Sequence, residues 1–138
     1  MTVSRRHAPW FRDVVMLGAP NLPGAPTAAL ATTLARLPLS RYALSRVADG
    51  EWDFFEVVER ANGPRYVNRL VGSPGDWRRD RLGTRLAWHA ARHIAEDPRA
   101  AAVAYARRHG RCAVCDAHLS DPASIARSMG PVCARRFV

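Results

Sequence analysis

A chain of 138 residues, 48% hydrophobic and 24% charged, is long enough for one domain with its own core and too apolar for a disordered polymer. It has no run of about 18 apolar residues, and Met1–Arg12 is polar and basic, which excludes a spanning helix and a secretion signal and gives the expectation of a cytoplasmic protein with no membrane partner. All 21 basic residues are arginine, set against 12 acidic ones for a formal charge of +9; the lack of lysine excludes Schiff-base and P-loop lysine chemistry, and so many planar guanidinium forks favour a polyanionic partner.

Residues 1–26 are interrupted by Pro9, Pro20, Pro23 and Pro26 and read as an irregular N-terminal arm. Trp10 and Phe11, flanked by arginines, would pin that arm to the core. An α+β core is expected over 27–109. A short helix over 27–37 begins after Pro26, places Leu30, Leu34 and Leu37 on one face and stops at Pro38. Three β-like runs follow, at 41–48, 51–59 and 65–71. Asp49-Gly50 suits a two-residue hairpin turn, and Asn62-Gly63-Pro64 turns the chain again, so 41–71 reads as a three-stranded antiparallel meander. Glu51, Asp53, Glu56 and Glu59 are then expected as ordinary exposed strand carboxylates.

From Trp77 to Glu96 the pattern becomes helical, with Leu82, Leu86, Ala90 and Ile94 every four residues. On that reading Arg78, Arg79, Arg81 and Arg85 open the helix, where cations oppose its dipole and invite an external anion. His89 and His93 share one of its faces and flank Trp88. Asp97-Pro98 is a restart signal, and a second helix over 98–109 ends at Gly110.

All three cysteines, Cys112, Cys115 and Cys133, fall in the last quarter of the chain. The Cys-x-x-Cys spacing lets two thiolates on a tight knuckle reach one metal ion, and the return of a third after seventeen residues suits zinc ribbons and treble-clef-like fingers. Between Val114 and Val132 the large apolar side chains are Leu119, Ile125 and Met129, too few to hold a shape alone. A bound Zn²⁺ would supply about 10–16 kcal/mol of folding free energy to such a segment. A structural zinc site wants a fourth ligand. His118 is the first candidate, His109 the second and Asp121 the third, with His89 or His93 able to reach in if their helix packs there. The segment 110–138 is therefore expected as a zinc-binding module.

The stretch GRCAVCDAHLSDPASIARSMGPVC, Gly110–Cys133, resembles the C-terminal motif of a family of small, mostly uncharacterised actinobacterial and phage proteins that reads G-R-C-x-x-C-G-R-x-L-T-D-P-x-S-x-x-x-G-x-G-P-V-C. Asp97-Pro98-Arg99-Ala100 and Tyr105 fit its pattern too, so the match covers about 97–133. The resemblance implies zinc held by the cysteines and no established enzymatic activity. This chain departs from it at Asp116-Ala117, in place of Gly-Arg, and at Ser128, in place of Gly; serine there is expected to keep the backbone at negative φ. His118 stands where the family has no histidine, and Asp121 falls on a recurring aspartate that serves either as a ligand or as a cap.

Around the cysteines, Arg107, Arg108, Arg111, Arg127, Arg135 and Arg136 face little opposing charge beyond Asp116 and Asp121, a pattern suited to a phosphate backbone, DNA above all. No G-x-S-x-G elbow, H-E-x-x-H motif or glycine-rich phosphate loop is present. The expected molecule is thus an α+β protein, a three-stranded antiparallel sheet with flanking helices and a C-terminal zinc knuckle. The expected role is that of a non-enzymatic, zinc-stabilised accessory protein binding nucleic acid through arginine–phosphate contacts. The alternative is a protein–protein adaptor or inhibitor, such as a phage factor that engages a host protein through its aromatic sheet face or the Trp10-Phe11 arm.

Overall fold

The computed structural model describes residues 27–46 and 50–137. The arm with Trp10 and Phe11 lies outside them, as does Asp49 of the expected hairpin turn. In chain order the elements are α1 (Thr27–Arg36), β1 (Arg41–Arg46), β2 (Glu51–Val58), β3 (Tyr66–Val71), β4 (Arg78–Arg81), α2 (Thr84–Glu96), α3 (Pro98–His109), α4 (Pro122–Arg127) and α5 (Pro131–Arg136). The fold is α+β, with an antiparallel sheet of order β1-β2-β3-β4.

The sheet therefore has four strands where three were expected. The added strand, Arg-Arg-Asp-Arg, is short and mostly exposed, and it stands at an edge. Nothing apolar announces it. Its register beside β3 is Asn68 to Arg81, Arg69 to Asp80 and Leu70 to Arg79, and its charges suit an edge that must not pair with another chain. The helix consequently starts at Thr84, after Gly83 in the cap position. Arg78, Arg79 and Arg81 are strand residues rather than the opening of a helix, so the expected anion site at that helix start does not form. The buried face of α2 is built from Ala87, Ala90, Ala91 and Ile94, while Leu86 is 36% exposed.

Opposed residues in an antiparallel ladder share a face. Tyr42, Phe55, Val57 and Val67 lie on one face and are all nearly inaccessible. The other face carries Ala43, Trp52, Phe54 and Leu70, and here α3 supplies the cover. Tyr105 and His109 meet the Phe54 ring at 6.0 and 4.5 Å, Trp77 joins them at 5.8 Å, and the Arg108 guanidinium lies 4.2 Å above Trp52. The rings of this face thus pack beneath α3, with Trp52 and Phe54 half-buried.

The strand carboxylates are not all exposed either. Asp53 and Glu56 are 3% and 6% accessible. Asp53 is clasped by Arg46 at 3.2 Å and Arg69 at 2.9 Å, and Glu56 by Arg79 at 2.7 Å and Asn68 at 2.9 Å. Burial of a carboxylate is tolerated because cross-strand guanidinium groups neutralise it. Alternation alone could not show this, since it assigns a face without saying what covers that face.

Candidate metal centre

The approach to the cysteines is set by α3. Asp97 caps it through Ala100 N–H at 3.1 Å, and Gly110 ends it at φ 63°, a left-handed conformation that glycine adopts without steric cost. The chain then makes a tight knuckle. Cys112 N–H donates to the Ala117 carbonyl, Asp116 N–H donates to the Cys112 carbonyl (2.8 Å each), and Arg111 pairs with His118 as a β-bridge. Asp121 caps α4 by accepting from Ser124 N–H at 3.0 Å. The turn after α4 leads to Gly130, and α5 carries Cys133 in its first turn.

These turns bring Cys112, Cys115 and Cys133 together, with their Sγ atoms all within 4.8 Å of one another. Thiolates around a tetrahedral ion with bonds of about 2.3 Å sit about 3.8 Å apart, so the cluster needs at most a small contraction to hold one. The three thiols form no disulfide; Cys112 and Cys133 are buried and Cys115 is exposed. Three close cysteines that could hold a metal ion are thus in place.

The protons on these sulfurs respond to the same geometry. Burial pushes the Cys112 thiol up, but backbone N–H groups of Cys115, Gly130 and Val114, together with the Cys115 thiol, outweigh it and hold Cys112 below its ordinary value. Cys133 moves the other way, pushed up to about 12 by burial and by the crowding of the two neighbouring sulfurs. One thiolate is favoured and a third is resisted, which is the imbalance a cation among them would relieve.

No histidine lies within the group as it stands. Among the described residues the group contains the three cysteines and no fourth donor. His118, expected as the fourth ligand, is exposed and its backbone is engaged by Arg111. His109 is turned into the rings of Phe54, Trp77 and Tyr105, and burial holds it below its ordinary protonation range. Asp121 is occupied as a cap. His89 and His93 stay outside the group.

What sequence reasoning missed is the scaffold behind the knuckle. Trp77 Nε1–H donates to the Tyr105 hydroxyl at 3.2 Å, and that hydroxyl donates to Asp116 Oδ1 at 2.6 Å. Burial and the Asp116 carboxylate both push the Tyr105 phenol up, so it stays protonated and donating. Two guanidinium groups seal knuckle carbonyls: Arg41 donates to Val114 O at 2.9 Å and Arg111 to Asp116 O at 3.0 Å. Arg41 N–H also donates to Ala113 O at 2.7 Å, joining the knuckle to the edge of β1. Asp116, directly after Cys115, was the legible signal, because a residue that follows a metal knuckle is well placed to brace it.

Asp116 and Ser128 have φ of 65° and 66°. The expectation of negative φ at Ser128 is therefore overturned. Ser128 is the left-handed residue that closes α4, its N–H reaching Ile125 O and Ser124 O, and chain geometry overrides the preference of an L side chain. Both positions are ones where the resembling motif has glycine.

The six arginines expected at a phosphate surface divide into two groups. Arg111 and Arg127 are half-buried, the first on Asp116 O and the second on Ser124 Oγ at 3.2 Å. Arg107, Arg108, Arg135 and Arg136 are exposed.

Residues 102–138 match a family of unknown function, DUF6011. That stretch contains most of α3, the three cysteines and both short helices, and it agrees with the reading of 97–133 as part of an uncharacterised family. No curated protein and no solved structure matches the chain. No helix among the described residues is long and apolar enough to cross a membrane.

Proposed function

We propose that the three cysteines hold a structural Zn²⁺ and that the segment it organises presents arginines to the phosphates of nucleic acid, with no enzymatic step. The metal follows from donor chemistry. Three thiolates are soft ligands, and a set with two of its three sulfurs buried suits zinc over hard oxygen-seeking cations. The bound ion would supply the charge that the crowded sulfurs call for and nothing further.

The observation that carries the nucleic-acid reading is the condition of Arg107, Arg108, Arg135 and Arg136. They flank the cysteine segment on α3 and α5, they are exposed, and among the described residues none forms an ion pair. Arg108 is also stacked over Trp52; with a formal charge of +9, the other three guanidinium groups stand free for phosphate. Binding of this kind reads charge rather than sequence.

The test is fluorescence anisotropy with labelled single- and double-stranded DNA and RNA across a salt series, using protein of measured zinc content. Micromolar binding that falls steeply with salt is expected, and Arg107→Glu/Arg135→Glu should lower the slope by about 0.9 per lost duplex phosphate contact. Absence of binding at low salt by zinc-loaded protein would sink this reading. A protein partner is favoured by one feature, the exposure of Ile125 and Val132 at 53% and 55% on α4 and α5, and capture of a single protein at moderate salt would support it.

A further inference from the structure

On the sheet face that carries Arg41, Glu56 and Asn68 lies an open groove of about 960 Å³ between the α1–β1 connection, the β2–β3 turn, β4 and α5, bordered at Val114 by the cysteine knuckle. Its floor is a cross-strand row in register, Arg41 beside Glu56 beside Asn68. The Glu56 carboxylate is met by Arg79 at 2.7 Å, Asn68 at 2.9 Å and Arg41 at 4.0 Å. The negative charge of the floor is thus neutralised from within.

The rim is different. Arg65 donates to the carbonyls ending α1, at 3.2 Å to Leu34 and 2.6 Å to Leu37. Arg60 and Arg136 also line the groove, both are exposed, and neither forms an ion pair among the described residues. Glu59, exposed at the same rim, is the opposing carboxylate. The guanidinium groups of Arg60 and Arg81 lie 5.2 and 4.7 Å from the Tyr66 ring centre, and of the two Arg60 lines the groove beside that ring. Pro38, Leu39 and Val58 make an apolar wall.

A ligand suited to these walls is anionic at one end and flat at the other. The volume is near the upper end of small-molecule sites, which run to about 1,000 Å³. It admits one nucleotide or a few nucleotides of single strand and is too small for a duplex. We propose that this groove seats a nucleotide unit, either free or as part of a single strand, with its phosphate on Arg60 and Arg136 and its base against Tyr66 and the apolar wall. The single-strand form rests on the nucleic-acid reading above; the free-nucleotide form does not. Stacking on tyrosine and guanidinium planes tolerates any base, so little sequence preference is expected.

Fluorescein-labelled dT3 and dT12, and unlabelled AMP by calorimetry, separate the cases with full-length protein at low salt. Arg60→Glu is expected to weaken dT3 about tenfold and lower its salt slope by about 0.7, whereas Arg99→Glu, at an exposed position on α3 outside the groove, leaves dT3 unchanged. Arg60→Gln runs beside it and carries the test if charge reversal prevents folding, as judged by circular dichroism. AMP binding that Arg60→Glu abolishes, without oligonucleotide binding, would keep the groove as a free-nucleotide site and remove the nucleic-acid reading. Binding of dT12 that ignores Arg60→Glu, with no AMP bound, would overturn the groove and leave that reading intact. If dT3, dT12 and AMP all fail to bind, both fall.

Discussion

The sheet with its long helices and the C-terminal cysteine segment are stabilised in opposite ways. In the first, Tyr42, Phe55, Val67, Ile94 and Tyr105 are all at 0% exposure and interlock across a four-stranded ladder. In the second, two six-residue helices leave Ile125 and Val132 more than half exposed, and the fixings are single points: three thiols, two guanidinium-to-carbonyl bonds and one tyrosine–aspartate bond. The segment is nonetheless not a separate body. Cys112, Ala113, Met129 and Cys133 belong to the same buried cluster as the sheet. Where apolar side chains run out, directional bonds replace burial, so damage should be local in the second region and global in the first.

The sharpest way to break that comparison is to take away the proposed zinc. Chelation, or Cys133→Ser, should melt 110–137 while the sheet persists, withdrawing most of the about 10–16 kcal/mol that a structural zinc supplies. Amide hydrogen exchange would show protection lost in the knuckle and retained in β2 and β3. Simultaneous loss in both regions would mean that they are one cooperative unit.

Within the sheet, Asp53→Ala leaves Arg46 and Arg69 facing each other without their shared carboxylate. A cost of about 2–3 kcal/mol is expected in denaturant unfolding, below the full value for a buried pair because the Arg69 side chain is 43% exposed. Tyr105→Phe removes the link from the core to Asp116. It should cost about 1 kcal/mol in stability and about tenfold in metal affinity, measured by chelator competition. Unchanged affinity would mean that the knuckle holds its shape without the bond.

Alkaline pH distinguishes the metal-free from the metal-loaded protein. Cys133 has its folded value raised from 9.0 to about 12, so the stability it contributes is complete below 9.0 and lost as pH rises toward 12. Cys112, held low, contributes above its ordinary value and loses that stability as pH falls. In the loaded protein the sulfurs are already thiolates, and the alkaline loss should be smaller, as read from melting midpoints of the two forms. The smallest effect concerns Ser128, 1% exposed with its hydroxyl unpartnered among the described residues. Ser128→Gly should stabilise by about 1 kcal/mol by relieving the left-handed strain, with Ser128→Ala reporting the hydroxyl alone.

Local chemistry made much of this legible from residue order. Asp97-Pro98 and Gly110 bound α3 at both ends because capping and left-handed closure are decided within a few residues. Cys112 and Cys115 were legible as a pair because thiolate spacing on a tight turn is equally local, and Cys133 joined them through its return at a spacing that suits zinc ribbons. β4 was hidden, since Arg78–Arg81 has no strand-like side chains and is extended only because β3 offers it a ladder. The burial of Asp53 and Glu56 was hidden as well, because it depends on guanidinium groups arriving from other strands. The fate of the arginines could not be read locally at all. Arg41 and Arg111 are bound to knuckle carbonyls, while Arg60 and Arg136 stand open at a groove, and a guanidinium has the same composition in either role. The sequence by itself determined the capped ends of α3 and the cysteine knuckle; the hairpin register, with Arg46 rather than residue 48 opposite Glu51, and which charges are consumed inside and which are left exposed were decided by tertiary packing, because only the approach of distant strands supplies or withholds their partners.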